Sequence, residues 1–335
     1  MQDGLKVSPG PHISKHHSTR SVMADVIIAM IPAMIMAVVY FRMGALLLIG
    51  TCVITCVLSE WLCNVIRKKP NSLGDLSAVI TGIILAFSVP AGLPLWAAVI
   101  GSAFAIIIGK MVFGGLGSNI FNPAMVGRCF LTLSFGLMMT TWTAPATAWP
   151  ITDGLTQATT QATPLARSKE AIKAGGQGEK NADVVNKQLK QMFFGSTGGC
   201  LGETSAIALL IGAAYLLIKR TISWHIPAAV LVSAFICAQI GYLINPQVYI
   251  SPLAHLLGGG MLLGAFFIAT DPVTAPLTKR GMWIFGAGVG AVTMLIRIVG
   301  EYPEGMMFSI LLMNALTPLI DRFCKLTPAG GKPNA

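Results

Sequence analysis

Apolar runs of about 17–23 residues recur along the chain, and a helix of that length crosses a hydrocarbon layer of about 30 Å. About ten such runs are visible, near 23–41, 44–66, 75–89, 93–112, 124–142, 203–218, 226–243, 253–269, 282–299 and 305–323. Runs 75–89 and 253–269 are short and rich in small residues, so they are expected to be broken or re-entrant. Segment 143–202, between the fifth and sixth runs, is dominated by Ser, Thr, Gln, Gly, Lys and Pro and is too polar to span. Within it, residues 181–193 alone show amphipathic helical spacing, with Val184, Val185, Leu189 and Met192 on the apolar side. The rest reads as loop. The expected architecture is an all-α integral membrane protein of about ten transmembrane helices, five on each side of a polar loop.

The two halves echo each other. Ser77 to Gly82 followed by Ser88-Val89-Pro90-Ala91-Gly92-Leu93-Pro94 has its counterpart in Leu253 to Gly259 followed by Thr270-Asp271-Pro272-Val273-Thr274-Ala275-Pro276. Asn119-Ile120-Phe121-Asn122-Pro123-Ala124-Met125 matches Glu301-Tyr302-Pro303-Glu304-Gly305-Met306-Met307. An odd number of spans per half makes such repeats inverted, which places ligand sites at broken helices near the midplane.

Composition supports the membrane reading: 54% of the 335 residues are hydrophobic and 11% are charged. The net charge of +10 could suit nucleic acid, but its distribution fits topology instead. With the N-terminus cytoplasmic, the inner side holds Lys6, Lys15, Arg20, Arg67, Lys68, Lys69, Lys110, Lys219, Arg220, Lys279, Arg280, Arg322, Lys325 and Lys332. The short outer loops hold Arg42 and Arg297. The chain then divides into a cytoplasmic leader 1–20, a first membrane repeat 21–142, an extracytoplasmic loop 143–202, a second membrane repeat 203–323 and a cytoplasmic tail 324–335. About twenty polar, basic residues precede the first run, too long a lead for a signal peptide. The seven cysteines form no C-x-x-C, and His12, His16 and His17 show no ligand geometry, so no metal site is expected.

Three stretches carry candidate chemistry. Asp153 to Ala166 is a loop with hydroxyls at Thr159, Thr160 and Thr163, the last followed by Pro164, which disfavours helix at Thr163. Gly114 to Arg128 holds glycines with no strand ahead of them, against a phosphate-cradling loop. It also holds Asn119 and Asn122, amides that need partners inside a membrane and would share a side if helical. Asp271 in Ala269 to Pro276 is an ionisable group at a membrane boundary, able to bind a ring NH or an ion, or to cap a half-helix. Glu203 stands at the start of the sixth run, where it could complement a helix N-terminus. Arg128 could pair with an acid.

Asp153-Gly154 followed by Thr160-Gln161-Ala162-Thr163 resembles the flavinylation signature of the RnfD/NqrB family of respiratory membrane subunits, with Gln161 where a small residue is usual. The Asn-x-x-Asn-Pro-Ala run at Asn119, the Ala-Thr-Asp-Pro-Val-Thr-Ala string at Ala269, Gly202-Glu203-Thr204-Ser205 and Asn314 to Asp321 resemble the family too, so the likeness runs from about residue 20 to 325. The resemblance implies FMN esterified through its phosphate to the Thr163 hydroxyl. It implies a noncovalent riboflavin near Asn119, Asn122 and Asp271, and places Glu203 close to the FMN. A phosphoester calls for an exposed Thr163 hydroxyl.

The implied function is that of an electron-transfer subunit of an ion-translocating ferredoxin:NAD oxidoreductase complex in a bacterial inner membrane. The chain has no dinucleotide fold, so it is not expected to be catalytic alone. The implied partners are other membrane and peripheral subunits, including a second covalent-flavin subunit and iron–sulfur subunits, with a flavin transferase for maturation. The family's other branch, the sodium-pumping NADH:quinone oxidoreductase, is the nearest alternative. A secondary transporter or channel without redox cofactor also has ten spans, inverted repeats and Pro-broken helices.

Overall fold

The structure is a computed structural model that describes residues 18–70, 72–143, 145, 162–173, 185, 188–195, 197–246, 248–300 and 302–325. The leader, the tail and most of the Asp153 motif, including Thr159, Thr160 and Gln161, lie outside the described residues. The regular elements among those described are all helical, with an isolated β-bridge between Pro90 and Cys200 and no strand.

Helix α1 spans Thr19–Ile66 and starts on a Ser18 cap, whose hydroxyl accepts from the Ser21 amide at 3.1 Å. It joins the first two apolar runs across Arg42, whose φ of 53° and ψ of −132° break the helix. Helix α2, Ser77–Phe87, is short but lies almost wholly inside the protein. A half-length helix is tolerable there because protein, not lipid, surrounds its ends. Helix α3, Leu95–Ile106, runs on as a π-turn, Ile107–Met111, and α4 spans Pro123–Ser134.

In the second half, α5 spans Pro164–Lys173 and α6 spans Leu189–Phe194. Helices α7, Ala206–Ile218, and α8, His225–Ile244, follow. The eighth apolar run is broken as expected: α9, Pro252–Leu257, ends at Gly258–Gly260, and the chain resumes as a turn, Met261–Leu263, and a π-turn, Gly264–Ile268. Helices α10, Lys279–Ile298, and α11, Met306–Phe323, complete the set.

Four of these helices are long and apolar enough to cross a membrane: Thr19–Ile66, His225–Ile244, Lys279–Ile298 and Met306–Phe323. Apolar side chains also cover the outside, with Ile35, Ile54, Leu243 and Leu295 all exposed. Water disfavours such a surface and lipid accepts it, which marks a multi-pass membrane protein.

Long-range contacts define two ends. At one, here the loop end, Tyr40 donates to the Phe194 carbonyl at 3.2 Å and Pro90 bridges Cys200. At the other, the far end, Tyr215 donates to Asp25 at 2.9 Å, and the Arg67 guanidinium reaches the Met111 carbonyl at 2.6 Å.

Segment 143–202 departs from the expected loop. Thr163 caps α5, a helix that no apolar period predicts, and Leu165 packs with Val185, Ile250 and Ala254. Of the predicted helix over 181–193, the described part that is seen is α6, Leu189–Phe194; residues 181–184, 186 and 187 lie outside the described residues, while Val185 and Met192 are buried.

Candidate functional site

Proline positions the first site. Asn122 precedes Pro123, and its side-chain oxygen accepts from the Met125 amide at 3.3 Å, so it caps α4 instead of lying within a helix. Asn119 and Asn122 therefore do not share a helix, yet both line one cavity at the far end. Asp271 lines it too, brought across from the opposite half by the turn that follows the π-turn. Asn122 donates to Asp271 at 3.4 Å. Asp271 starts no helix: its two oxygens accept from the Val273 amide and the Thr274 hydroxyl, each at 3.2 Å, and hold the turn. Asn119 donates to the Phe121 carbonyl at 3.1 Å, while its buried side-chain oxygen has no partner among the described residues. The other walls are mostly apolar, with Met23, Ile80, Leu216, Phe266 and Phe267. A planar, mostly apolar ring with a polar edge matches this chemistry, and the orphaned Asn119 oxygen would accept from it.

The same cavity exposes a feature that the one-dimensional pattern conceals. Lys110, expected at the inner surface as a topology cation, is 1% exposed and pairs with Glu60 at 2.7 Å. It also donates to Ser77 at 2.6 Å, and Ser72 donates to Glu60 at 2.5 Å. The only sign of this along the chain is a lone Glu60 inside an apolar run.

The second site lies at the loop end. The Thr163 hydroxyl accepts from the Ala166 amide at 3.0 Å and is 4% exposed, not open to solvent as expected. Pro164 opens α5, so the hydroxyl is drawn onto the first turn as its cap. Thr163 and Glu203 line one narrow cleft, together with Met192, Gly258, Gly259 and Glu304. Gly259, at φ +63°, sits so close to Leu165 and Arg297 that a side chain there would collide with both.

Charge is concentrated around this cleft. Arg128 bonds the Glu304 carboxylate, the acidic pairing expected for it, and lies 3.7 Å from the Cys200 sulfur. Arg297, expected in an outer loop, is instead buried near the end of α10, where it donates to the carbonyls of His255 at 2.6 Å and Gly258 at 3.1 Å. Lys169 donates to the Arg297 carbonyl at 3.0 Å. No sequence signal singles out Lys169 or His255. Glu203 accepts from the Cys200 amide at 3.4 Å, and its other oxygen has no partner among the described residues. It precedes α7, whose cap is Ser205. Cys200, Glu203 and Glu304 bring ligand atoms within 4.8 Å of one another, but the Arg128 guanidinium on Glu304 opposes a second cation there.

Residues 6–330 match the sequence model of the NQR2, RnfD, RnfE family. The chain is 45% identical over 324 residues to the RnfD component of the Na(+)-translocating ferredoxin:NAD(+) oxidoreductase complex of Acetobacterium woodii, covering 96% of this chain and 94% of that one. It is 40% identical over 323 residues to the RnfD component of the proton-translocating ferredoxin:NAD(+) oxidoreductase complex of Clostridium ljungdahlii, covering 95% and 93%. It is 38% identical over 348 residues to the RnfD component of the ion-translocating oxidoreductase complex of Cronobacter sakazakii, covering 96% and 97%. With a match over nearly its whole length, the chain belongs to the NQR2, RnfD, RnfE family.

Proposed function

We propose that this chain is the RnfD-type electron-transfer component of an ion-translocating ferredoxin:NAD oxidoreductase complex. It works beside other membrane and peripheral subunits, including iron–sulfur subunits and a second subunit with covalent flavin. It carries FMN on Thr163 and a noncovalent riboflavin in the far-end cavity. The observation that carries the reading is that Asn119, Asn122 and Asp271, from opposite halves of the chain, line one mostly apolar cavity of flavin-like chemistry. A bound flavin supplies one- and two-electron transfer. The protein's part is to hold it: Asn119 and Asn122 offer an acceptor and a donor to the ring edge, and Phe266 and Phe267 wall off lipid. At the loop end, Thr163 supplies the ester oxygen, and Glu203 lines the same cleft.

The chain crosses the membrane ten times in two inverted halves, with both termini cytoplasmic and the loop end outside, in a bacterial inner membrane. The alternation of contacts between the two ends supports this layout. The two sites lie at opposite ends of the bundle, as transfer across a membrane requires. The names of the relatives above favour the ferredoxin:NAD branch over the NADH:quinone branch.

The test is in-gel flavin fluorescence of the denatured protein after co-expression with a flavin transferase. The wild-type band is expected to fluoresce and Thr163→Val to be dark, with a mass shift on the peptide containing Thr163. A band unchanged in Thr163→Val would move the attachment elsewhere, and a dark wild type would favour the transporter reading.

A further inference from the structure

At the far end, α8 and α10 begin side by side and run parallel. A Cβ on Gly286 of α10 would lie 2.8 Å from the Ile226 carbonyl, and one on Gly290 would lie 2.4 Å from the Val230 carbonyl. This packing brings Trp224, the N-cap of α8, against Trp283 of α10, with ring centroids 5.8 Å apart and planes nearly perpendicular. His225 stacks on Trp224 at 4.4 Å, meets Trp283 edge-on at 6.2 Å and shares a hydrogen bond of 2.7 Å with the Ser223 hydroxyl. The two indoles stay open to the outside, Trp224 at 56% and Trp283 at 39% exposure. Amphipathic rings left open in this way suit the boundary between lipid and water.

Cations gather round the same rings. Arg280 stands three positions before Trp283, on the same side of α10, with Lys279 beside it. Arg220 follows α7 and precedes Trp224 by four positions. Its φ of 58° lies in the left-handed region that glycine usually occupies after a helix, and the Arg220 and Thr221 amides close on the Leu217 and Leu216 carbonyls at 3.1 and 3.0 Å. An arginine there keeps a charge at this surface in spite of backbone strain. Lys219 lies 3.9 Å from Asp25, whereas Arg220, Lys279 and Arg280 are exposed and form no ion pair among the described residues. The acid nearest in this region, Asp321, accepts from the Leu277 amide at 3.2 Å. Along α8 from the rings, Val232, Ile236, Ile240 and Leu243 are all exposed and recur at the helical period, forming one apolar stripe.

We propose that this surface binds an anionic phospholipid. The acyl chains lie along the α8 stripe, the indoles sit at the level of the glycerol, and the headgroup phosphate meets Arg220, Lys279 and Arg280. Charge complementarity selects the headgroup. A choline or ethanolamine ammonium would face three cations, whereas a glycerol headgroup brings the negative phosphate alone. The apolar stripe that continues from the cations is filled by a lipid and would be left bare by a soluble polyanion. The inference is independent of the flavin reading and concerns a different face of the bundle.

Native mass spectrometry of the purified full chain, offered equimolar phosphatidylglycerol and phosphatidylcholine in detergent, tests it. Wild type is expected to retain phosphatidylglycerol about tenfold or more over phosphatidylcholine, the scale of a few cations near one headgroup. The triple variant Arg220→Gln, Lys279→Gln, Arg280→Gln is expected to bring the ratio close to one. Arg280→Gln alone, at an exposed position, should lower the ratio severalfold and serves if the triple variant does not fold. Lys68→Gln, an exposed cation after α1 at the same end of the bundle, is expected to leave the ratio as in wild type. A ratio near one in wild type would overturn the site, as would a preference that survives the triple variant. A loss in Lys68→Gln equal to that in Arg280→Gln would also overturn it, since the attraction would then belong to the whole basic surface.

Discussion

Residue by residue, the amides and carboxylates were more legible than the cations. Asn119, Asn122 and Asp271 stand out because uncharged apolar sequence surrounds them and each must find a partner in a membrane. Lys110 does not stand out, because a lysine after an apolar run looks like a surface topology marker. Its partner, Glu60, is fifty positions away, and only folding shows that the two meet at 2.7 Å with 1% and 0% exposure. Removing one partner of a buried pair leaves an uncompensated charge, at a cost of about 3–5 kcal/mol. Lys110→Met is therefore expected to lower the thermal midpoint of the detergent-solubilised protein sharply. The double variant Glu60→Gln with Lys110→Met should recover much of the loss in the same melting experiment. A single variant as stable as wild type would show that the pair contributes little.

At the scale of elements, run lengths located the helices well, and the two weakest runs proved to be the short α2 and the interrupted α9 segment. Helix α5 leaves no trace in the apolar pattern because its residues are mostly polar and its start depends on a Thr163 cap, a local hydrogen bond. Close helix packing was also hidden. A Cβ on Gly290 of α10 would lie 2.0 Å from the Ser233 hydroxyl and 2.4 Å from the Val230 carbonyl of α8. Membrane helices gain from such contacts because small residues let backbones approach. Gly290→Leu is expected to force α8 and α10 apart, at about 1–3 kcal/mol or more for overpacking. Size-exclusion monodispersity and melting in detergent would register it, whereas Gly50→Leu, where a Cβ meets nothing within 4 Å, should behave as wild type.

For the whole molecule, topology is the property most open to direct measurement. Reporter fusions at Ala335 and within 174–184 should report cytoplasmic and extracytoplasmic locations respectively. The same side for both would refute an odd number of crossings between them, and with it the inverted halves.

The sequence alone determined that the chain lives in a membrane, about how many apolar segments it has, which motif ties it to its family and which side chains are chemically unusual. Those properties follow from length, period and residue type, which are local. The tertiary structure alone decided that Asn119 and Asp271 share a cavity, that Lys110 is a buried counter-charge, that Thr163 is drawn onto a helix cap beside Glu203, and that Trp224 and Trp283 meet across two helices. Each of these depends on which helix packs on which, and in a membrane that choice is made by close backbone approach and by the pairing of polar groups distant in sequence.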